Sequence, residues 1–514
     1  MITLVNPNLV TQRNDIFTTG IVYMPISLAY FASTLRQHGF QCTIIDAFGE
    51  NPNQFYFDEN YLYRGLVPSE VADKICVTSK AIVLYAINLT CHSSLVDIIQ
   101  NIRSRFSHIP IVVMENTQAV TAYSLRKVQE KFYDIGVDYI ITGEAEERGV
   151  ELLKTLQYST PKIDISKIDG IGFRLDGKTH YIPPKRKIAN LDTLPFPAWD
   201  LLPLQNYWQL KYAHGPFETK KYLPILTSRG CPYLCTFCII PEINNRKWRA
   251  RSAKNVVDEM EKLLAQFGVK EFHIEDVNPT VNDKRIREIC EEIIRRNLKV
   301  IWKISSGTKV ETLRNESIIE LMARAGCRYI SISPETGSPR ILKKMNKPFN
   351  LDLAIRLVKK MNDIGIRSQA CFVLGYPDES DEDRQMTWQM VHDLTKVGVD
   401  EIAVFIITPA PGSAIFDQFG DCADYSKLTF SPVWREDYKR LNKVRLRLYM
   451  RFLYWKLRYH PLKIVKQVNN FLWRRFETKM EMTPYRALHL LLMELRLTGK
   501  YCSNRLQKDK HNNA

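Results

Sequence analysis

The chain has 514 residues, 45% hydrophobic and 25% charged, which excludes a disordered polymer and a single ordinary core and predicts two or three domains. Its net charge of +16 is lopsided: residues 425–514 hold 21 Lys and Arg against 6 Asp and Glu, leaving the other 424 residues near neutral at +1. No apolar run spans a bilayer, the first residues lack a signal-peptide pattern, and eleven scattered cysteines are not the short, even-numbered framework of a secreted protein; a cytoplasmic protein is expected.

Residues 1–160 alternate strands and helices. Ile2–Asn6 is apolar, Pro25–His38 has helical periodicity ending at Gly39, and Gln41–Asp46 is β-branched. Ala81–Asn88 is a nearly continuous apolar run, the pattern of a central parallel strand. Helical segments at Ser93–Phe106 and Thr121–Tyr133 flank a strand at Pro110–Met114, and Tyr139–Thr142 runs into Gly143-Glu144. This alternation predicts a doubly wound parallel sheet with ligands beyond the carboxyl ends of its strands.

Residues 161–215 read as a small β excursion, Gly170–Ile188, followed by a Pro-rich linker at Leu191–Leu202 with aromatic anchors. Residues 216–424 alternate again. Strands are expected at Leu223–Ser228, Glu271–Glu275, Val300–Ser305, Tyr329–Ser333, Ser368–Leu374 and Glu401–Ile407. Helices are expected at Ala253–Phe267, Asp283–Arg296, Ser317–Ala325, Leu351–Ile364 and Glu382–Val397. Six such units predict a partial (β/α)6 barrel with its chemistry at the strand C-termini.

Residues 425–514 form a basic, mostly helical region. Arg440, Lys443, Arg447, Arg451 and Arg458 fall near one side of a helix and Val444, Leu448, Phe452 and Trp455 on another; a second basic, aromatic stretch runs from Lys463 to Phe476. That pattern suits the surface of an anionic membrane, with nucleic acid as the competing partner.

The chemistry is concentrated in Leu226-Thr-Ser-Arg-Gly-Cys-Pro-Tyr-Leu-Cys-Thr-Phe-Cys238. Three thiols at intervals of four and three residues, in a loop after a strand, suit an iron–sulfur cluster and leave one iron open. The competing reading is a zinc loop completed by Cys290, Cys327 or His273.

The spacing of Cys231, Cys235 and Cys238 resembles the radical S-adenosylmethionine (SAM) superfamily. The resemblance implies a [4Fe–4S] cluster on those cysteines, SAM on the open iron, and a 5′-deoxyadenosyl radical that takes hydrogen from substrate. It further implies oxygen sensitivity and an electron donor such as flavodoxin or ferredoxin. It places Phe237 against adenine, and Asp276, Ser305, Glu335 and Gly375, each at a later strand end, near SAM. No catalytic residue beyond these is implied.

Tyr23-Met-Pro-Ile-Ser-Leu-Ala29, Gly143-Glu-Ala-Glu146 and the Leu191–Leu202 linker are similar to the cobalamin-binding-domain class of that superfamily. Where that class carries Gly-Gly after the fourth strand, this chain has Glu115-Asn116-Thr117-Gln118, which hinders close approach of a corrin. The expectation is therefore cobalamin-independent rearrangement, cyclisation, coupling or oxidation of a small-molecule or lipid-like substrate. Cobalamin-dependent C-methyl transfer is the alternative. RNA modification or non-catalytic metal binding is the reading from another class.

Overall fold

A computed structural model describes every residue except 14–19, 59, 158–163, 420–428, 430, 494 and 496–514. The boundaries expected at 160/161 and 424/425 fall outside the described residues.

Ile2–Asn6, Cys42–Asp46, Ala81–Ala86, Ile111–Glu115 and Tyr139–Ile141 form the parallel part of a seven-stranded sheet. Side chains alternate across it, as a pleated strand requires. Val83 and Tyr85 enter the core on one face, and Ile82, Leu84 and Ala86 the core on the other. Both faces are covered by helices, among them Ile26–Gln37 and His92–Arg105. This is the doubly wound unit the alternation predicts.

The excursion after residue 170 is part of the same sheet. Ile171–Leu175 pairs antiparallel with Tyr139–Ile141, and Lys178–Tyr181 closes the hairpin. Asp176 and Gly177 make the two-residue turn, both at positive φ (50° and 74°), the backbone such a hairpin needs. Thr121–Ser124, expected at the start of a helix, is a turn; the helix runs Leu125–Asp134. A three-stranded antiparallel sheet of Leu9–Gln12, Tyr61–Arg64 and Phe55–Phe57 has no counterpart in the sequence reading.

The barrel strands are Tyr222–Ile225, Glu271–Ile274, Ile301–Thr308, Cys327–Glu335, Arg367–Leu374 and Glu401–Ile406, all parallel and in sequential order. The intervening helices show ordinary stop and start signals. The Ala253–Phe267 helix opens on Ser252, whose hydroxyl accepts from Asn255 N, and closes on Gly268 at φ 67°, the left-handed cap that glycine tolerates best. One continuous core joins the two units through the linker, in which Trp199 and Tyr207 are fully buried.

The basic region is packed onto the barrel. The Tyr438–Tyr459 helix lies on the sixth barrel strand, where Val404 N donates to Tyr449 Oη at 2.9 Å. A Pro461–Trp473 helix and a third helix over residues 479–493 follow. Arg445, Lys456 and Arg486 of this region are buried, so part of its charge is internal. Among the described residues no helix is long and apolar enough to cross a membrane.

Candidate active site between the two units

A cavity of about 700 Å³ lies between the carboxyl ends of the first sheet and those of the barrel. Asn88, Thr90, Asn116 and Gln118 line it from the first unit, and Cys231, Cys235, Phe237 and Cys238 from the loop after the first barrel strand. Leu446, Phe452, Lys479 and Arg486 of the basic region close another side. Open sheets and barrels both place ligands at strand carboxyl ends, and here the two ends face each other.

The cysteine loop is held from below. Asp276, expected to meet SAM, is fully buried and absent from the cavity wall. Its carboxylate accepts from Thr227 N (2.6 Å), Thr227 Oγ1 (2.6 Å) and Ser228 Oγ (2.5 Å). Side chains alternate at a strand end, so its neighbours Glu275 and Val277 reach the cavity instead, followed by Asn278 in the loop beyond. Asp276 is a positioning residue for the loop.

Further along the loop, Thr236 N donates to Met345 O at 3.1 Å and Thr236 Oγ1 bonds Tyr376 Oη at 2.8 Å. Phe237 packs on an apolar cluster that includes Ile341, Val373 and Ile407, a flat wall suited to a base. Burial pushes the thiols of Cys231, Cys235 and Cys238 up, while Lys347 pulls all three back and Lys309 the first two.

Zinc is not what these thiols suit. A structural zinc needs four donors, with sulfur about 2.3 Å from one point. No three His, Cys, Asp or Glu side chains converge in that way among the described residues. Cys290 lies inside the Asp283–Arg295 helix face and Cys327 at the start of the fourth barrel strand, both buried away from the cavity. His273 is engaged with Glu271 at 3.1 Å. With the three candidate fourth donors placed elsewhere, three thiols on one wall suit a cluster, in which each sulfur would hold a different iron.

Three other expected positions separate clearly. Ser305 lines the cavity with its hydroxyl buried and unbonded. Glu335 lines it at a bulge in the fourth strand, at φ 67°, paired with Lys347 Nζ at 2.6 Å. A non-glycine residue held at positive φ costs about 1–2 kcal/mol and is characteristic of functional positions. Gly375 is not on the wall. Its φ is 75°, and a Cβ there would stand 2.5 Å from Leu441 Cδ1 and 2.9 Å from Arg435 Nη2. The glycine lets the basic region pack closely here, and the cavity wall gives no support to its expected place beside SAM.

Several cavity residues carried no sequence signal. His214 Nδ1 meets Glu275 Oε2 at 2.5 Å under the ring of Tyr23, whose centroid lies 4.6 Å from that of His214. Burial works against the Glu275 carboxylate, yet His214 holds it below the usual carboxylate range. Burial also lowers His214. Lys309 is lowered to about 8 by burial and by Lys347. Glu275 stands in the acidic strand-end segment that the sequence points to, one residue before the expected Asp276; nothing local marks His214.

Among the described residues, buried polar atoms on the wall without a hydrogen-bond partner include Ser27 Oγ, Gln118 Oε1, Asn278 Nδ2, Ser305 Oγ and Thr408 Oγ1. An unsatisfied buried polar group costs about 1–3 kcal/mol, so these atoms call for water or a ligand in the cavity. The donors and acceptors at Asn278 and Ser305 stand on the barrel side, beside the thiols, as a polar cosubstrate on a cluster would require. Gln118 stands on the other side, at the crevice of the first sheet. Its free acceptor suits a ligand rimmed with amide N–H groups, as a corrin is.

The corrin-side turn is nevertheless filled from within. Glu115 is buried and accepts from Leu125 N at 3.0 Å and Gly143 N at 2.9 Å. Burial pushes its carboxyl up to about 7 despite those two donors. Asp46, at the end of the edge strand, is saturated by Asn6, Gly49 N and Tyr207. Gln118 would thus offer a partner to the amide fringe of a corrin, while the Glu115 and Asp46 carboxylates at the neighbouring strand ends are already engaged.

The two units are clamped by buried charge. Arg229, two residues before Cys231, pairs with Glu146 at 2.6 Å and Glu144 at 3.4 Å, and Arg249 grips Glu144 at 2.7 and 2.9 Å. Burial opposes the Glu144 carboxylate, but the two arginines hold it down at about 2. The Gly143-Glu144 turn of the first sheet therefore fixes the root of the cysteine loop.

Residues 225–391 match the family model of the radical SAM superfamily. The chain is 31% identical over 55% of its length to an uncharacterized methyltransferase of Pyrococcus horikoshii, covering 58% of that protein. It is 31% identical to the anaerobic magnesium-protoporphyrin IX monomethyl ester cyclase of Rubrivivax gelatinosus, over 59% of this chain and 53% of that one. It is 25% identical to the cytidylyl-2-hydroxyethylphosphonate methyltransferase of Streptomyces wedmorensis, over 80% of both. The match thus spans little more than half the length of the first two relatives. The fold is shared with the radical SAM methyltransferase TsrM of Kitasatospora setae, solved with cobalamin and a [4Fe–4S] cluster bound: TM-score 0.60, 18% identity, 81% of this chain and 77% of that one.

Proposed function

From a chain that carries a radical SAM domain against a doubly wound unit, we propose a radical SAM enzyme that transfers a methyl group to an unactivated carbon, with cobalamin in the crevice between the units. The observation that carries this reading is the cavity itself, with the thiol loop on one side and the polar crevice holding Gln118 Oε1 on the other. The names of the relatives support it, since two of the three are methyltransferases. They reverse the order of preference that the Glu115–Gln118 segment suggests in the sequence.

When bound, the cluster and SAM supply a 5′-deoxyadenosyl radical and cobalamin a methyl group. The chain's own residues do the rest. Ser305 and Asn278 offer a hydroxyl and an amide to SAM. Lys347 neutralises Glu335 at the bulge, and Phe237 walls off the base. His214 and Glu275 hold a proton between Nδ1 and Oε2, where a polar atom of the substrate can be gripped. The apolar side chains of the Tyr438–Tyr459 helix keep water from the reacting space.

A second reading, cobalamin-independent cyclisation, rearrangement or oxidation, is favoured by the Glu115 carboxylate filling the corrin-side turn. Anaerobic reconstitution with hydroxocobalamin, desalting and a visible spectrum decides between them. Near-stoichiometric retention supports methyl transfer, and none retained leaves the second reading. For both, reduced protein is expected to release 5′-deoxyadenosine from SAM and Cys235→Ala to lose that release. A fully clustered protein with neither SAM cleavage nor a SAM-induced spectral change would sink both.

A further inference from the structure

Among the described residues, the basic region leaves an apolar face without cover. Of 23 large hydrophobic residues exposed among the described ones, 14 lie between Leu446 and Leu495, a tenth of the chain. On the Tyr438–Tyr459 helix, Leu446, Met450, Leu453 and Leu457 fall at spacings of four, three and four and make one stripe. Arg447, Arg451 and Arg458 are exposed beside it. On the next helix, Leu462 is 81% and Trp473 77% exposed, with Val465, Val468 and Leu472 between them. Leu488, Leu491 and Leu492 are exposed on the third helix. A patch of this extent on a soluble chain marks an interaction surface.

The same face borders the cavity. Leu446 and Leu453 line the cavity wall and are 46% and 42% exposed. The stripe therefore runs along the cavity's mouth.

We propose that these helices dock on an anionic phospholipid bilayer with the cavity mouth against it, so that the substrate is an amphiphile drawn from the lipid. The docking face stands apart from the reaction assigned above; the substrate class rests on that reading. The side chains choose the occupant. Aliphatic Leu, Val and Met gain nothing from phosphate or stacked bases, which argues against nucleic acid. A second copy would set one strongly basic face against another. An aliphatic stripe fringed by arginine, with a tryptophan at a helix end, matches both the acyl and the headgroup layers of an anionic leaflet.

Flotation of the full-length, cluster-loaded protein tests this, with phosphatidylcholine vesicles that contain or lack about one-third phosphatidylserine. The protein is expected to float with the anionic vesicles and to come off as salt is raised. Leu457→Glu with Leu472→Glu, both at exposed positions, and separately Arg447→Glu with Arg451→Glu, are each expected to lower partitioning by at least about 20-fold. Arg447→Lys with Arg451→Lys should keep it, which separates lost charge from misfolding. Equal binding to both vesicles, no flotation, a transfer-RNA gel shift without flotation, or a stable dimer that the Leu457/Leu472 variant dissociates would each overturn the proposal. Release of 5′-deoxyadenosine is measured on the same protein. Release without flotation refutes the docking alone, and flotation without release refutes the radical SAM reading alone.

Discussion

Glu144→Gln is the sharpest test of the clamp between the two units. The substitution keeps the shape of the side chain and removes the charge that Arg229 and Arg249 share. The carboxyl stands at about 2 in the folded chain against 4.5 ordinarily, a difference worth about 3 kcal/mol. Breaking a buried pair from one side costs a similar amount, about 3–5 kcal/mol. Because the folded value is depressed, this stability is complete above about pH 4.5 and is lost as pH falls toward 2; less than half of it remains near pH 3. Urea unfolding of the metal-free chain, followed by tryptophan fluorescence at pH 7 and again near pH 3, measures the gap between wild type and variant. The gap is expected to be about 3 kcal/mol at the higher pH and to shrink at the lower. A gap under about 1 kcal/mol at pH 7, or one that does not change with pH, would refute the clamp. Since Arg229 roots the cysteine loop, the variant is also expected to hold its cluster less tightly.

Ser305→Ala removes an unbonded buried hydroxyl, so the cofactor-free chain is expected to be no less stable while SAM binds about tenfold more weakly; unchanged SAM affinity by equilibrium dialysis would remove Ser305 from the site. Gly375→Ala forces a Cβ to within 2.5 Å of Leu441 at φ 75° and is expected to cost about 1–2 kcal/mol in urea unfolding with SAM affinity unaltered; the opposite pattern would restore Gly375 to the cofactor. Glu115, raised to about 7 by burial, predicts the reverse pH slope to Glu144. Its carboxyl is folded-state protonated below that value, so stability falls by about 3 kcal/mol as pH rises from 4.5 through 7, and Glu115→Gln is expected to flatten the slope.

What the sequence discloses is what is local. The cysteine loop, the period of each helix and the apolar strands are written in neighbouring residues, and most of those strands and helices begin and end within a residue or two of expectation. The Leu9–Gln12 sheet was not legible, because its strands are short and pair across some fifty residues. The site was legible to one residue and no further. Asp276 and Glu275 are adjacent acids at a strand end, and only the direction of the last pleat decides that Glu275 faces the cavity while Asp276 buttresses the loop. Gly375 is expected beside SAM, but the space its Cβ would take is occupied by Leu441, far along the chain. The basic region reads as an amphipathic face for an anionic membrane, yet Arg445, Leu448, Phe452 and Lys456 recur at spacings of three, four and four. That spacing put two cations on the buried stripe, and it was the available sign that the region is packed on the barrel.

The segment Glu115–Gln118 is the departure that weighs most on function, and its contacts give it a role of its own. Asn116 Nδ2 donates to Ile87 O at 2.7 Å, tying the ends of two neighbouring strands. Thr117 O accepts from Asn244 Nδ2 at 3.0 Å, reaching the helix that follows the cysteine loop. Ser124 N donates to Pro411 O at 3.1 Å, beyond the sixth barrel strand. Glycines would offer the backbone to a ligand but could make none of the side-chain bonds. The exchange is therefore between a turn open to a cofactor and a turn whose side chains brace the strand ends of the first unit, while the bond through Thr117 O would survive in glycine. Gln118, the one residue of the four with a free acceptor on the cavity wall, is where both demands meet, and its unpaired oxygen is the feature that keeps a ligand on this side of the cavity in the physical account.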